Sequence, residues 1–434
     1  MRDDDPALRH AGRLCRWLGA QVESEPAEGI AFAVPAAAGP VTAHADWAQS
    51  GAMALTGRAD GPPLLAPGAP ASALRGALHV LSALTSQQYP GVELLGERAA
   101  VAGFTRQGPR SVGSSYLPVA TVDGWAGLSL ARDADFGLVP ALVEREVRGD
   151  PWCAVRQWAA GRSAEHVASR AQLLGLAGVR IPAPSEARGE PHPFAFTRGE
   201  SRPRRQPPVV VDLTALWAGP LCAHLLGLAG ARVIKVESVR RPDGARGGPA
   251  AFFDLLHAGH ECVALDLSDE RGRAALAVLI GRADVVLESS RPRALRQLGI
   301  VAEDVVAGGT TWMSITAYGR SGPGANHVGY GDDAAAAAGL VAYDDGMPMP
   351  CGDAIADPLA GVHAAVATAA ALRADRAYLI ELSMRDVAAA TLDLDGAPPE
   401  QVVPAAPRAR RPLRRAAGLG ADTDVVLREF GIAQ

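Results

Sequence analysis

The feature that most constrains this chain is an alternation of strand and helix patterns that starts at Val209. VVVDL (209–213) is a continuous apolar strand, LCAHLLGLAG carries helical apolar spacing, and ARVIKVE (231–237) reads as a second strand. CVALDL then reads as a strand, ERGRAALAVLIGRA as a helix, DVVLES as a strand and TTWMSITAYG as a further strand. Apolar strands separated by helices need both sheet faces covered. The expected fold class is therefore α/β, with a Rossmann-like, doubly wound parallel sheet.

Composition narrows the partners. The net charge of −5 offers no broad positive field for nucleic acid or an anionic membrane, so a small-molecule substrate is expected. No run of about 18 apolar residues is present, and the acidic opening Met-Arg-Asp-Asp-Asp does not suit a signal peptide, so neither a membrane span nor export is expected. Five scattered cysteines without a C-x-x-C pair argue against a disulfide framework or a zinc ribbon and suggest the cytoplasm. Basic residues are almost all arginine, Lys235 being the one lysine. This bias reads as genome composition.

Proline and arginine punctuation at 182–208 reads as a linker, and a second break falls at 396–412. The expected organisation is 1–119 as a shortened copy of a large domain, 120–185 as a small domain, 186–207 as linker, 208–392 as the large domain, and 393–434 as a linker with a closing helix. An internal repeat supports the first assignment. DGPPLLAPGAPASALRGALHVLSAL (60–84) parallels DGMPMPCGDAIADPLAGVHAAVATAAAL (345–372), and GRLCRWLGAQVES echoes AHLLGLAGARVIKVES. Gly76 and Gly361 fall at matching places, and Ser72 stands where the second copy has Asp357.

Four patterns could carry chemistry. The βαβ opening with Gly219 and the strand-ending Glu237 resembles a dinucleotide site, but it lacks the three-glycine fingerprint, and Pro220 removes an amide donor, so NAD is not expected. His257, His260 and Cys262 in HAGHEC fall short of a structural zinc set, and no metal is expected. GDAIADPLAGVHAA (352–365) places Asp357 before a nearly charge-free helix, where it can cap that helix or act as a partly buried nucleophile. ITAYGRSGPGANHVGYGDDAAAAAGL (315–340) is a glycine-rich loop leaving a strand, where open α/β sheets bind ligands. The run PRARRPLRRAAG reads as a solvated basic stretch.

Taken in order, VVVDLTALWAGPLCAHLLGLAGARVIKVES, FFDLLHAGHECVALDLSDERGR, ADVVLESSRPRALRQLGI, the glycine-rich loop and GDAIADPLAGVHAA resemble the class III CoA-transferase family, which includes carnitine and formyl/oxalate CoA-transferases and 2-methylacyl-CoA racemases. The stretch 121–184 resembles that family's α+β small domain, here ahead of the large one, which implies a rearranged tandem form. The resemblance implies that Asp357 attacks an acyl-CoA thioester and that an aspartyl-CoA thioester follows, with coenzyme A as substrate and covalent intermediate. It implies CoA contacts at Trp217, Ala218, Gly219, Arg246, His257, His260, Arg291 and Tyr330, and a homodimer, interlocked in the family. The pattern departs at His257 and His260, where asparagine and a basic residue are usual, at Ser289 for asparagine, at His327 for arginine, and at Gly331 for aspartate. Tyr330 stands where the racemase branch has a histidine base; a phenol with an ordinary pKa near 10 is poorly matched to that task, so transfer is expected over racemisation. A catalytically weakened acyl-CoA-binding protein is the further alternative.

Overall fold

The run at 209–212 is buried throughout, and it forms an interior strand of the large sheet. The computed structural model describes residues 5–19, 41–186, 191–392 and 401–432. Its strands are β1 (Tyr116–Thr121), β2 (Gly124–Ser129), β3 (Ala177–Ile181), β4 (Phe194–Arg198), β5 (Val209–Asp212), β6 (Arg232–Ser238), β7 (Glu261–Leu265), β8 (Val285–Glu288), β9 (Thr311–Thr316), β10 (Val341–Asp344), β11 (Met347–Pro350) and β12 (Tyr378–Ser383). The large sheet runs β7-β6-β5-β8-β9-β12-β4, and every pair in it is parallel except β12 with β4. Chain connectivity reverses direction between β5 and β8, which opens a crevice at the carboxyl ends of those strands. The doubly wound parallel sheet expected from the alternation is thus the observed architecture.

Part of the segment expected to be a linker is built into this sheet. Phe194 and Phe196 put apolar rings two residues apart on β4, and the Phe196 ring meets Tyr378 of β12 edge to face at 6.3 Å. Their burial explains why a short, proline-flanked segment settles as an edge strand.

Each sheet face has its own core. On one, the helices Ala218–Leu228 and Ala356–Arg373 cover Val210, Val285 and Met313; on the other, helix Glu270–Arg282 and the closing helix Thr423–Glu429 cover Val211, Val263 and Val286. Helix Ala356–Arg373 is apolar on all sides because it is a middle layer, with helix Ala218–Leu228 on one flank and helix Pro70–Thr85 of the first half on the other.

Among the described residues before Tyr116 the first half has helices and no strand. Helix Pro6–Gly19 packs on helix Pro70–Thr85 as helix Ala218–Leu228 packs on helix Ala356–Arg373. The crossings match in detail. A Cβ on Gly76 would come within 2.3 Å of the Ala7 carbonyl oxygen, and one on Gly361 within 2.6 Å of the Ala218 carbonyl oxygen. Both crossings therefore need glycine for backbone approach. The two pairs of helices meet at His10 and His363, whose Nε2 atoms are 2.8 Å apart.

Residues 116–181 form a separate antiparallel sheet, β1-β2-β3, covered by helices Pro151–Ala159 and Ala164–Leu173 around Trp152, Val155 and Trp158.

Candidate active site

Asp357 lies in the first turn of helix Ala356–Arg373, and the residue in the capping position is Ile355, which makes no side-chain cap. The carboxylate instead accepts a hydrogen bond from the Ala218 amide, in the first turn of the facing helix. Of the two roles open to it in the sequence, capping is not the one observed. Gly331 begins helix Gly331–Ala338 directly against it: a Cβ there would fall 2.4 Å from Asp357 Oδ2 and 2.3 Å from the Ala354 carbonyl oxygen.

The loop before Asp357 is gripped residue by residue. The Gly352 amide donates to Thr56 Oγ1 at 2.8 Å, Asp353 takes two bonds from Arg98, and the Ala354 amide donates to Asp332 Oδ1 at 3.1 Å. Ala354 has φ +43°, a left-handed conformation that costs a residue with a Cβ about 1 kcal/mol or more, so the loop is held rather than relaxed. The Ala354 carbonyl then accepts the Asp357 amide at 2.8 Å.

Charge follows from this arrangement. Asp332, Asp353 and Asp357 share one neighbouring cation, Arg98, which is paired bidentately with the buried Asp353. Asp357 is left without a counter-ion of its own, and burial, with Asp332 and Asp353 adding repulsion against the attraction of Arg98, pushes its carboxyl up to about 7. Burial, aided by Asp353, likewise raises Asp332 to about 7, with Ser111 among its hydrogen-bond donors. At neutral pH Asp357 divides between its acid and its carboxylate.

The other sequence-predicted residues fall into three groups. Trp217 and Ala218 lie at the crevice beside Asp357; the indole is buried, meets Phe252 edge to face at 5.3 Å, and carries the Arg98 guanidinium 5.2 Å from its ring centroid. Gly219 is a packing glycine, since a Cβ would lie 2.2 Å from Thr214 Cβ.

His257 and His260 belong to a buried cluster with Asp212, Lys235 and Asp243. Lys235 Nζ is 2.9 Å from Asp243 Oδ2 and 3.8 Å from Asp212 Oδ2, and it donates to the Thr214 carbonyl at 3.0 Å. Burial above all drives His257 well below its usual range and His260 down to about 3, so both rings are neutral and offer hydrogen bonds rather than charge. Asp212, His257 and His260 offer ligand atoms within 4.8 Å of one another, but the Lys235 ammonium already supplies a cation there. Arg246 is held by Glu237 through a bidentate contact, Nη2 to Oε2 at 2.6 Å, and stacks 4.4 Å over the Phe253 ring, so neither Glu237 nor Arg246 is a free group.

Arg291 and Tyr330 form the third group. Arg291 is exposed; burial lowers its pKa first, and then the like charges of Arg293, Arg132 and Arg241. Tyr330 is half-buried beside the same arginines and is pushed up, burial being the main cause.

The residues that sequence reasoning missed are Arg98, Thr56, Ser111 and Asp332. Only Asp332 had a signal, the acid pair in GDD following the glycine-rich loop.

Residues 208–409 match the model of CoA-transferase family III. The chain is 31% identical over 216 residues to a succinate–glutarate CoA-transferase of Agrobacterium fabrum, covering 44% of this chain and 54% of the relative. It is 33% identical over 167 residues to the succinyl-CoA:glutarate CoA-transferase of Mus musculus, covering 36% and 38%, and 30% identical over 194 residues to an acetyl-CoA:oxalate CoA-transferase of Acetobacter aceti, covering 41% and 50%. The chain thus spans about half or less of the length of these curated relatives. The segment that builds the large sheet and carries Asp357 is the part of the chain that matches CoA-transferase family III.

Proposed function

We propose that the chain moves CoA from an acyl-CoA donor to a carboxylic acid, with Asp357 as the nucleophile. The observation that carries this reading is a half-buried carboxylate at the sheet's switch-point crevice, steadied by the Ala218 amide and left without its own counter-ion. Such a group is a far better nucleophile than a solvated or salt-bridged one, because little hydration or pairing must be stripped before it attacks.

In this mechanism the Asp357 carboxylate adds to the thioester carbonyl and CoA thiolate leaves, giving an acyl–aspartyl anhydride. The thiolate then attacks the aspartyl carbonyl, releasing the donor acid and leaving an aspartyl-CoA thioester. The incoming carboxylate attacks that thioester in turn, and thiolate return to the new acyl carbonyl delivers the product acyl-CoA and frees Asp357. Backbone amides at the Gly331 turn and at Ala218 are the donors proposed for the oxyanions. The exposed Arg291, with Arg241, Arg293 and Arg132 close enough to lower its pKa, is proposed to meet the CoA phosphates, with Tyr330 at the edge of that patch. The upward shift of Tyr330 moves it further from a racemase base.

The test is exchange of labelled CoA between an acyl-CoA panel and a panel of mono- and dicarboxylic acids. Transfer that is lost in Asp357→Ala supports the reading. Solvent exchange of an α-proton without an acceptor acid would favour racemisation, and acyl-CoA binding without either reaction would favour a binding protein.

A further inference from the structure

We propose that the first half of the chain completes the Asp357 site and that Arg98 is its positioning residue, holding the loop that presents Asp357. The inference rests on the nucleophile reading above. The first half carries its own counterpart of the site, and it is closed. The same number of residues separates Asp46 from Ser72 as separates Gly331 from Asp357, so the acid and the small residue have changed places. Ser72 Oγ donates to Asp46 Oδ2 at 2.5 Å, Arg75 Nε binds the same oxygen at 3.0 Å, and Arg75 also reaches Asp5. Ser72, Asp46, Arg75 and Asp5 are thus spent on one another, and Ser72 is fully buried.

The side chains that the first half turns outward lie instead on the second copy. Thr56 and Arg98 hold the consecutive residues Gly352 and Asp353, Ala52 Cβ lies 3.1 Å from where a Gly352 Cβ would stand, and Ser111 supports Asp332. Farther along, Ser129 Oγ donates to both oxygens of Asp333 at 2.9 and 3.0 Å. Arg98 is itself fixed from both sides. Its neighbour Glu97 is buried and bound by Arg410 at 2.7 Å, and its guanidinium lies between Asp353 and the Trp217 ring. A Trp217 face is a favourable seat for a guanidinium, and a planar fork satisfies both Asp353 oxygens as an ammonium cannot.

The charged groups facing Asp357 are Arg98 from helix Glu97–Ala102, Asp332 from helix Gly331–Ala338 and Asp353 from the preceding loop. Removing the one cation leaves only like charges around Asp357, and its apparent pKa should rise by about one unit.

The experiment compares wild type, Arg98→Lys, Arg98→Gln and the charge-balanced Arg98→Gln/Asp353→Asn variant. It follows the pH dependence of CoA-adduct formation on Asp357, and the titration of the Asp357 carboxyl by NMR of protein labelled with ¹³C-aspartate, assigned against Asp357→Asn. For Arg98→Gln we expect the acid limb to move up by about one unit, with a rate about fivefold lower at pH 7 and nearly restored at pH 9, and for Arg98→Lys we expect most of the limb position to return. A uniform loss of rate at every pH, equal for Lys and Gln and with the Asp357 titration unmoved, would overturn the proposal. The double variant, which leaves no bare Asp353, separates this effect from misfolding: it removes the Asp353 repulsion together with the Arg98 attraction, so it should keep the wild-type melting behaviour and bring the limb back toward wild type, and a limb displaced as far as in Arg98→Gln would refute the electrostatic role. If wild type forms no adduct at all, the nucleophile reading fails, and the carboxyl titration alone still decides whether Arg98 governs Asp357.

Discussion

Replacing Asp357 with asparagine should make the protein more stable, by an amount that depends on pH. The carboxyl is raised from 3.8 to about 7 by burial and by Asp332 and Asp353, against the attraction of Arg98. A carboxyl whose folded pKa lies above its unfolded value binds a proton more tightly in the folded state. From about pH 4 to pH 7 the unfolded chain has released that proton and the folded chain still holds it, so stability falls as pH rises through this window and levels off above it. Three units at about 1.4 kcal/mol each set the cost of the ionised group at no more than about 4 kcal/mol at pH 8, and about 2 kcal/mol at pH 5. Asparagine has the shape of the protonated acid and carries no charge, so Asp357→Asn removes this cost. Urea unfolding of both proteins at pH 8 and pH 5 measures it. The expected result is a gain for the variant that is about twice as large at pH 8. A gain that does not change with pH, or a less stable variant at pH 8, would mean that Asp357 is not a desolvated carboxyl without a counter-ion.

Three further outcomes follow from the geometry. Gly331→Ala places a methyl group 2.4 Å from Asp357 Oδ2 and 2.3 Å from the Ala354 oxygen, so the loop or the nucleophile must shift; CoA-adduct formation should fall by about 100-fold or more, as displacements near 1 Å do. Lys235→Met leaves Asp212 and Asp243 buried without their cation, and urea unfolding at pH 7 should show a loss of about 3–5 kcal/mol, whereas a neutral outcome would show that the ammonium is not their counter-ion. Ser72→Ala removes one bond from Asp46 and should cost about 1–2 kcal/mol in the same assay while leaving the rate of CoA transfer unchanged; a large loss of rate would show that the closed counterpart takes part in turnover.

The parts of the fold legible in the sequence are those whose signal is local. The buried strands β5 to β9 announce themselves as apolar runs between helices, because each must be apolar on both faces to lie inside a covered sheet. The matched glycines were legible for a similar reason: Gly76 and Gly361 each sit at a close backbone crossing of two helices. Strand β4 was hidden because an edge strand with two aromatic anchors exists only by virtue of its partner β12. That the described residues before Tyr116 form helices and no strand was equally hidden, since those helices bury their apolar faces in the same core as helix Ala356–Arg373 rather than on a sheet of their own.

At the site, Asp357 was legible from its small-residue surroundings, and the crevice residues Trp217 and Ala218 from the strand ending just before them. Arg98 was not. It lies some 250 residues from Asp353 in a chain rich in arginine, and only the tertiary fold brings the two together. Lys235 carried an unread signal. As the one lysine where arginine is the habit, it marks a place too tight for a guanidinium, and there a compact ammonium is completely buried between two carboxylates.

The central claim, that Asp357 forms a covalent intermediate, is tested most directly by mass spectrometry of the intact protein mixed with a panel of acyl-CoAs, followed by peptide mapping of any adduct. The account predicts a CoA adduct on the peptide containing Asp357, formed with at least one donor and absent from Asp357→Ala. Turnover without that adduct, or an adduct that maps to another residue and survives Asp357→Ala, would contradict it.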